Sequence, residues 1–132
     1  TEPESSLNTV LAPSEILLTQ AVESFTSRNY SKARSLFDSL VKISPDTAEY
    51  QMGLGLSYFC LGNYTKAAVS LQRAEANAKT ALPSLDRFFK EHAHFKSQQE
   101  RLKFFIEKSP TSQYAKELMT LLDRLAEKST AP

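Results

Sequence analysis

The sequence predicts an all-α chain of antiparallel helical hairpins, about seven helices in all. Three observations carry this. Glycine occurs only 3 times in 132 residues, against about 7% in an average protein, and tight strand turns consume glycine. Apolar residues recur at helical spacing throughout, and no run alternates as a strand would. The chain also matches itself at a shift of 34 residues: Asn29-Tyr30-Ser31-Lys32-Ala33 falls on Asn63-Tyr64-Thr65-Lys66-Ala67. Phe25 then falls on Phe59, Ala21 on Gly55, Phe37 on Leu71 and Leu40 on Ala74.

Residues 1–12 read as a flexible lead-in, with Leu7, Val10 and Leu11 scattered among polar residues. The first helix is carried by Leu17, Leu18, Ala21, Val22 and Phe25, and the second by Ala33, Leu36, Phe37, Leu40 and Val41. Tyr50, Leu54, Tyr58 and Leu61 form the third stripe, and Ala67, Ala68, Leu71 and Ala74 the fourth. Leu82, Leu85, Phe88 and Phe89 predict a fifth helix over about 83–92, with a turn at Ala93-His94. Leu102, Phe105 and Ile106 mark the sixth. Tyr114, Leu118, Leu121, Leu122 and Leu125 mark a seventh over 113–128, followed by a frayed tail at 129–132. Pro13, Pro45, Pro83 and Pro110 punctuate these helices, each beside a Ser, Thr or Asp able to cap the next. Ser44-Pro45-Asp46-Thr47 and Ser109-Pro110-Thr111-Ser112 are one pattern used twice.

The apolar fraction of 41% supports a core. Lys and Arg number 16 against 15 Asp and Glu, a net charge of +1. That balance draws in neither nucleic acid nor an anionic membrane. The basic residues Lys90, Lys96, Arg101, Lys103 and Lys108 are interleaved with Glu91, Glu100 and Glu107, which reads as a solvated face. One cysteine, Cys60, allows no internal disulfide and no cysteine zinc site. The longest uncharged stretch, 50–65, is too short and polar to span a bilayer. The chain starts at Thr1, so the native N-terminus is expected to be missing, and cytoplasmic and periplasmic locations both stay open.

A period of 34 with two helices per unit is the spacing of tetratricopeptide repeats, and the chain resembles that family. Ala21 and Gly55 match the small residue of the first helix, and Ala33 and Ala67 that of the second. Phe25, Phe59, Tyr30 and Tyr64 match the wedge around the turn, Leu17 the large apolar place and Pro45 the terminal proline. Gln20, Leu40, Gln51 and Lys79 depart from the pattern. The resemblance implies a right-handed solenoid in a single domain, 13–128, with units at about 14–47, 48–81 and 82–112 and a capping helix at 113–128. The third unit is degenerate: only its second helix keeps the pattern, with Phe95, Leu102 and Phe105 lying 65 residues after Tyr30, Phe37 and Leu40. Lys116, Glu117, Asp123, Arg124 and Glu127 supply the polar outer face of the cap.

No catalytic constellation emerges, and the chain is expected not to be an enzyme. His92 and His94 are two apart on a helix and poor partners for one metal, so they read as solvent-exposed. Cys60 has no basic residue near it in sequence and reads as a buried, inert thiol. Gly53-Leu54-Gly55 lacks the third glycine and the strand of a phosphate loop. By resemblance, the concave groove is lined by Glu15, Leu18, Val22, Phe25 and Thr26, then Glu49, Met52, Leu56, Phe59 and Cys60, with Arg87 and Lys90 as a basic end. Leu18, Val22, Met52 and Leu56 stand where carboxylate-clamping members of the family carry lysine and asparagine. The implied function is an adaptor that binds an apolar helix or peptide of another protein, without cofactor or metal. Residues 50–55 with Leu61-Gly62-Asn63-Tyr64 are also similar to the middle repeat of class II type III secretion chaperones. Pro110-Thr111-Ser112-Gln113-Tyr114-Ala115 is similar to junctions of envelope adaptors. A chaperone for a hydrophobic client and a homo-oligomerisation domain are therefore alternatives, and the lead-in or a second copy are further candidates to cover the trough.

Overall fold

The computed structural model describes residues 13–78, 82–83 and 85–130. Within them the chain is all-helical: α1 (Pro13–Thr26), α2 (Tyr30–Ile43), α3 (Ala48–Leu61), α4 (Tyr64–Asn77), a 3-10 turn (Leu85–Arg87), α5 (His92–Lys108) and α6 (Gln113–Thr130). The expected lead-in and the end of the expected tail lie outside the described residues, although α6 itself continues through Thr130.

The two predicted hairpins are built alike because the same local chemistry recurs 34 residues apart. Asn29 and Asn63 cap α2 and α4, each side chain accepting from the backbone N–H of the lysine three residues on, Lys32 and Lys66. The residue before each cap takes positive φ: Gly62 at 86° and Arg28 at 66°. Gly62 enters that region without steric cost, whereas Arg28 carries a Cβ there. The paired Ser-Pro junctions also fold alike, Thr47 N–H donating to Ser44 O at 3.3 Å and Ser112 N–H to Ser109 O at 3.1 Å.

The hairpins stack through α2 on α3. The apolar stripes meet there, with Ala21, Phe25, Ala33, Phe37 and Leu40 in one core with Met52, Leu56, Phe59, Ala67 and Leu71. Gly53 of α3 lies face-on to the Phe37 ring, and a Cβ at Gly53 would fall well inside that ring's van der Waals surface. This close approach lets the Phe37 ring of one hairpin pack directly on the α3 backbone of the other.

Beyond α4 the chain departs from a third hairpin. In place of the expected helix over 83–92 there is the single 3-10 turn, and Ala93-His94 belong to the first turn of α5 rather than to a connection. Apolar spacing at Leu82, Leu85, Phe88 and Phe89 suits a helix, but it suits equally one turn with its following residues buried. Helix α5 then crosses the turn ends of both hairpins. His94 meets Tyr30 beside the first turn, Arg101 reaches Cys60 O at the second, and Phe105 packs on Tyr64. His94 and Phe105 are eleven residues apart, three helical turns, so one face of α5 meets equivalent tyrosines of successive repeats.

Helix α6 packs along α4 and more lightly on α5. It runs in the same sense as α4: Gln72 donates to Glu117 at 2.6 Å, and further along Arg124 donates to Glu75 at 3.1 and 2.7 Å. Ala115, Leu118, Leu121, Leu122 and Leu125 are buried while Lys116, Glu117, Asp123, Arg124 and Glu127 are exposed, the division a terminal helix needs.

Two substitutions test this reading. Gly53→Ala overpacks the Phe37 contact and is expected to destabilise by about 1–3 kcal/mol in urea unfolding. Arg28→Gly removes the left-handed strain and is expected to stabilise by up to about 1 kcal/mol in the same measurement.

Candidate functional site

The expected groove residues of α1, α3 and the segment after α4 divide into three sets. Phe25, Met52, Leu56 and Phe59 are buried, none more than 1% exposed. Leu18 and Val22 are half-buried on α1. Arg87 and Lys90 are exposed on the segment after α4, Arg87 ion-paired with Glu49 of α3.

Two of the four, Phe25 and Phe59, are met by aromatic rings from other parts of the chain. Phe88 sits edge-on to Phe25 at 5.5 Å and tilted against Phe37 at 6.0 Å. Phe89 is edge-on to the same Phe25 at 5.2 Å and to Phe95 at 5.0 Å. Phe95 in turn packs on Phe59, and Phe59 on Tyr64. A continuous aromatic seam thus fills the space between the hairpins and α5, in the edge-to-face geometry that ring quadrupoles favour. The sequence offered Phe88 and Phe89 only as core of a fifth helix. Their contact with Phe25 depends on the path of the chain after Asn77, which no local pattern encodes.

Where the seam meets the first turn, Tyr30 is hydrogen-bonded to His94 Nε2, and the two rings are stacked at an interplanar angle of 7°. Burial pushes Tyr30 up to about 12, and proximity to Cys60 adds to the rise. Burial likewise pushes the Cys60 thiol up to about 12, against lowering by a hydrogen bond with Tyr30 and by Arg101. Cys60 therefore carries negligible thiolate at neutral pH. Burial, and then Arg28, hold His94 below its ordinary value, while Glu91 pulls the other way. His94 was expected in solvent but is half-buried, whereas His92 is exposed. Tyr30, Cys60 and His94 come together from three helices, and no spacing within the sequence announces the cluster.

A second apolar region lies on the turn side. Phe104 is 60% exposed, Leu61 42% and Phe105 38%. Tyr64, Phe104 and Phe105 line an open cleft of about 650 Å³, and Leu61, Tyr64 and Phe105 an adjoining one of about 380 Å³. Among the described residues no group of three or more His, Cys, Asp or Glu is placed to hold a metal, and no helix is long and apolar enough to cross a membrane.

Compared with protein-family models, with curated proteins and with solved structures, the chain matches none.

The His94 environment predicts a pH response. A depressed folded pKa favours the neutral ring, so its contribution is present above the ordinary value of 6.5 and lost as pH falls through the lower folded value. Thermal stability is expected to drop as pH falls below the ordinary value of 6.5, and His94→Gln to flatten that part of the profile. Circular-dichroism melts of the two proteins across that range check it.

Proposed function

We propose that the chain is a protein-binding module of the tetratricopeptide kind, whose concave face takes an apolar helix or peptide from another protein. The observation that carries this reading is that the face formed by α1 and α3 seats a short apolar turn, with the Phe88 and Phe89 rings pressed against Phe25. A groove that buries two adjacent aromatics has the width and chemistry for peptide anchors, each worth about 1.5–3 kcal/mol when fully buried. Its accessible edge is Leu18 and Val22, which are half-buried beside the filled part. The absence of lysine and asparagine at Leu18, Val22, Met52 and Leu56 favours apolar anchors over a peptide's terminal carboxylate. A chaperone shielding a hydrophobic client would use the same surface in the same way.

Val22→Glu tests it. Peptides selected on the parent from a random display library are expected to share apolar anchors and to bind Val22→Glu at least about tenfold more weakly, because a partner would bury an unpaired carboxylate there. Titration calorimetry on a variant that still melts cooperatively gives the comparison. Peptides that bind the variant as tightly as the parent would remove the concave face from consideration.

A further inference from the structure

The segment that fills the groove belongs to neither repeat. Its regular structure is the one turn Leu85–Arg87, and the backbone N–H groups of Phe88 and Phe89 both donate to Leu85 O, at 2.9 and 2.8 Å. Its hold on the hairpins comes through side chains. Phe88 and Phe89, 2% and 4% exposed, pack on Phe25, whereas the turn that carries Leu85 packs on α6, with Leu85 beside Phe95 and Ala126. The ion pairs Arg87–Glu49 and Arg28–Glu91 join exposed cations to α3 and to the start of α5. Two adjacent aromatics directly after a single turn are the kind of anchors with which short segments enter apolar grooves. The seat is close-fitting but not sealed: a cavity of about 30 Å³ remains beside Phe25, Phe88 and Phe89.

We propose that the Phe88-Phe89 pair is a resident occupant of the groove, and that the partner displacing it carries the same chemistry. That partner segment has two adjacent aromatics and a basic residue just before them to face Glu49. This rests on the concave-face reading and adds a partner class and a built-in restraint. A segment tethered beside its own seat competes at high effective concentration. It thereby reduces apparent partner affinity by the fraction of molecules in which the seat is open.

The experiment uses the full chain with Phe88→Ala and Phe89→Ala together, and a fluorescent synthetic peptide of residues 82–91. The double variant is expected to bind this peptide at least about tenfold more tightly than the parent does. A peptide with both phenylalanines replaced by alanine is expected not to bind. Because the rings contribute to the core, Arg87→Glu serves as a second variant that leaves them in place. It sets like charges against each other at Glu49 and is expected to raise peptide affinity about two- to fivefold. If a cooperatively folded variant of either kind gains no affinity while library-selected peptides still bind at Val22, the segment is core rather than occupant, and the concave-face reading survives alone. Loss of both kinds of binding overturns both. A concentration-dependent parent dimer that dissociates in the double variant would give the seat to a second copy and overturn the partner assignment.

Discussion

The packing around Phe25 is the contact on which the rest of the structure depends. Its ring touches Tyr30 across the first turn and both Phe88 and Phe89 from the segment that follows the second hairpin. Each edge-to-face pair adds about 0.5–1.5 kcal/mol to what burial alone supplies. More consequential is the geometry. With Phe88 and Phe89 seated on Phe25, the chain reaches the first hairpin before it turns into α5. Helix α5 is then obliged to start beside Tyr30 and travel toward Tyr64.

From that starting point the repeat itself guides α5. Tyr30 and Tyr64 occupy the same place in successive units, so they present equivalent rings along one edge of the stack. His94 and Phe105 answer them from one face of a 17-residue helix. The second Ser-Pro junction reverses the chain, and α6 returns along α4. The face of α4 that would otherwise take the first helix of a third hairpin is thus covered by a helix running in the opposite sense to the one a third repeat would place there. The stack is closed after two hairpins because the intervening residues seat Phe88 and Phe89 on the first hairpin instead of forming another α-helix.

The two hairpins were legible because their determinants are local. Asparagine caps, small residues at close approaches and Ser-Pro junctions act within a few residues of one another, and each recurs after 34 residues. The apolar rows Leu18 with Val22 and Met52 with Leu56 were legible for the same reason, each pair lying four residues apart on one helix. What was not legible is what faces that lining. Phe88 and Phe89 carry the same apolar signal whether they sit in a helix or beyond a single turn, and only contact with Phe25, more than sixty residues earlier, distinguishes the two. The pairing of His94 with Tyr30 has the same character: neither residue's neighbours in sequence indicate the other. The burial of Gln51, which donates to Pro45 O at 3.2 Å, shows a milder form of this, a departure from the repeat pattern that a nearby carbonyl accommodates.

The energetics of residues 85–91 differ in kind from those of the hairpins. Burying Leu85, Phe88 and Phe89 contributes about 5–9 kcal/mol, while ordering the backbone of seven residues costs about 7–14 kcal/mol. The exposed ion pairs at Arg87 and Arg28 add at most about 1 kcal/mol each. These totals agree to within a few kcal/mol, so the segment sits near balance on its own account, without the ladder of helical hydrogen bonds that tips the hairpins firmly toward order. The segment's ends are fixed by α4 and α5, which lowers the cost of seating it relative to a free peptide. A segment near energetic balance, seated mainly by packed side chains, is where this fold opens at least cost.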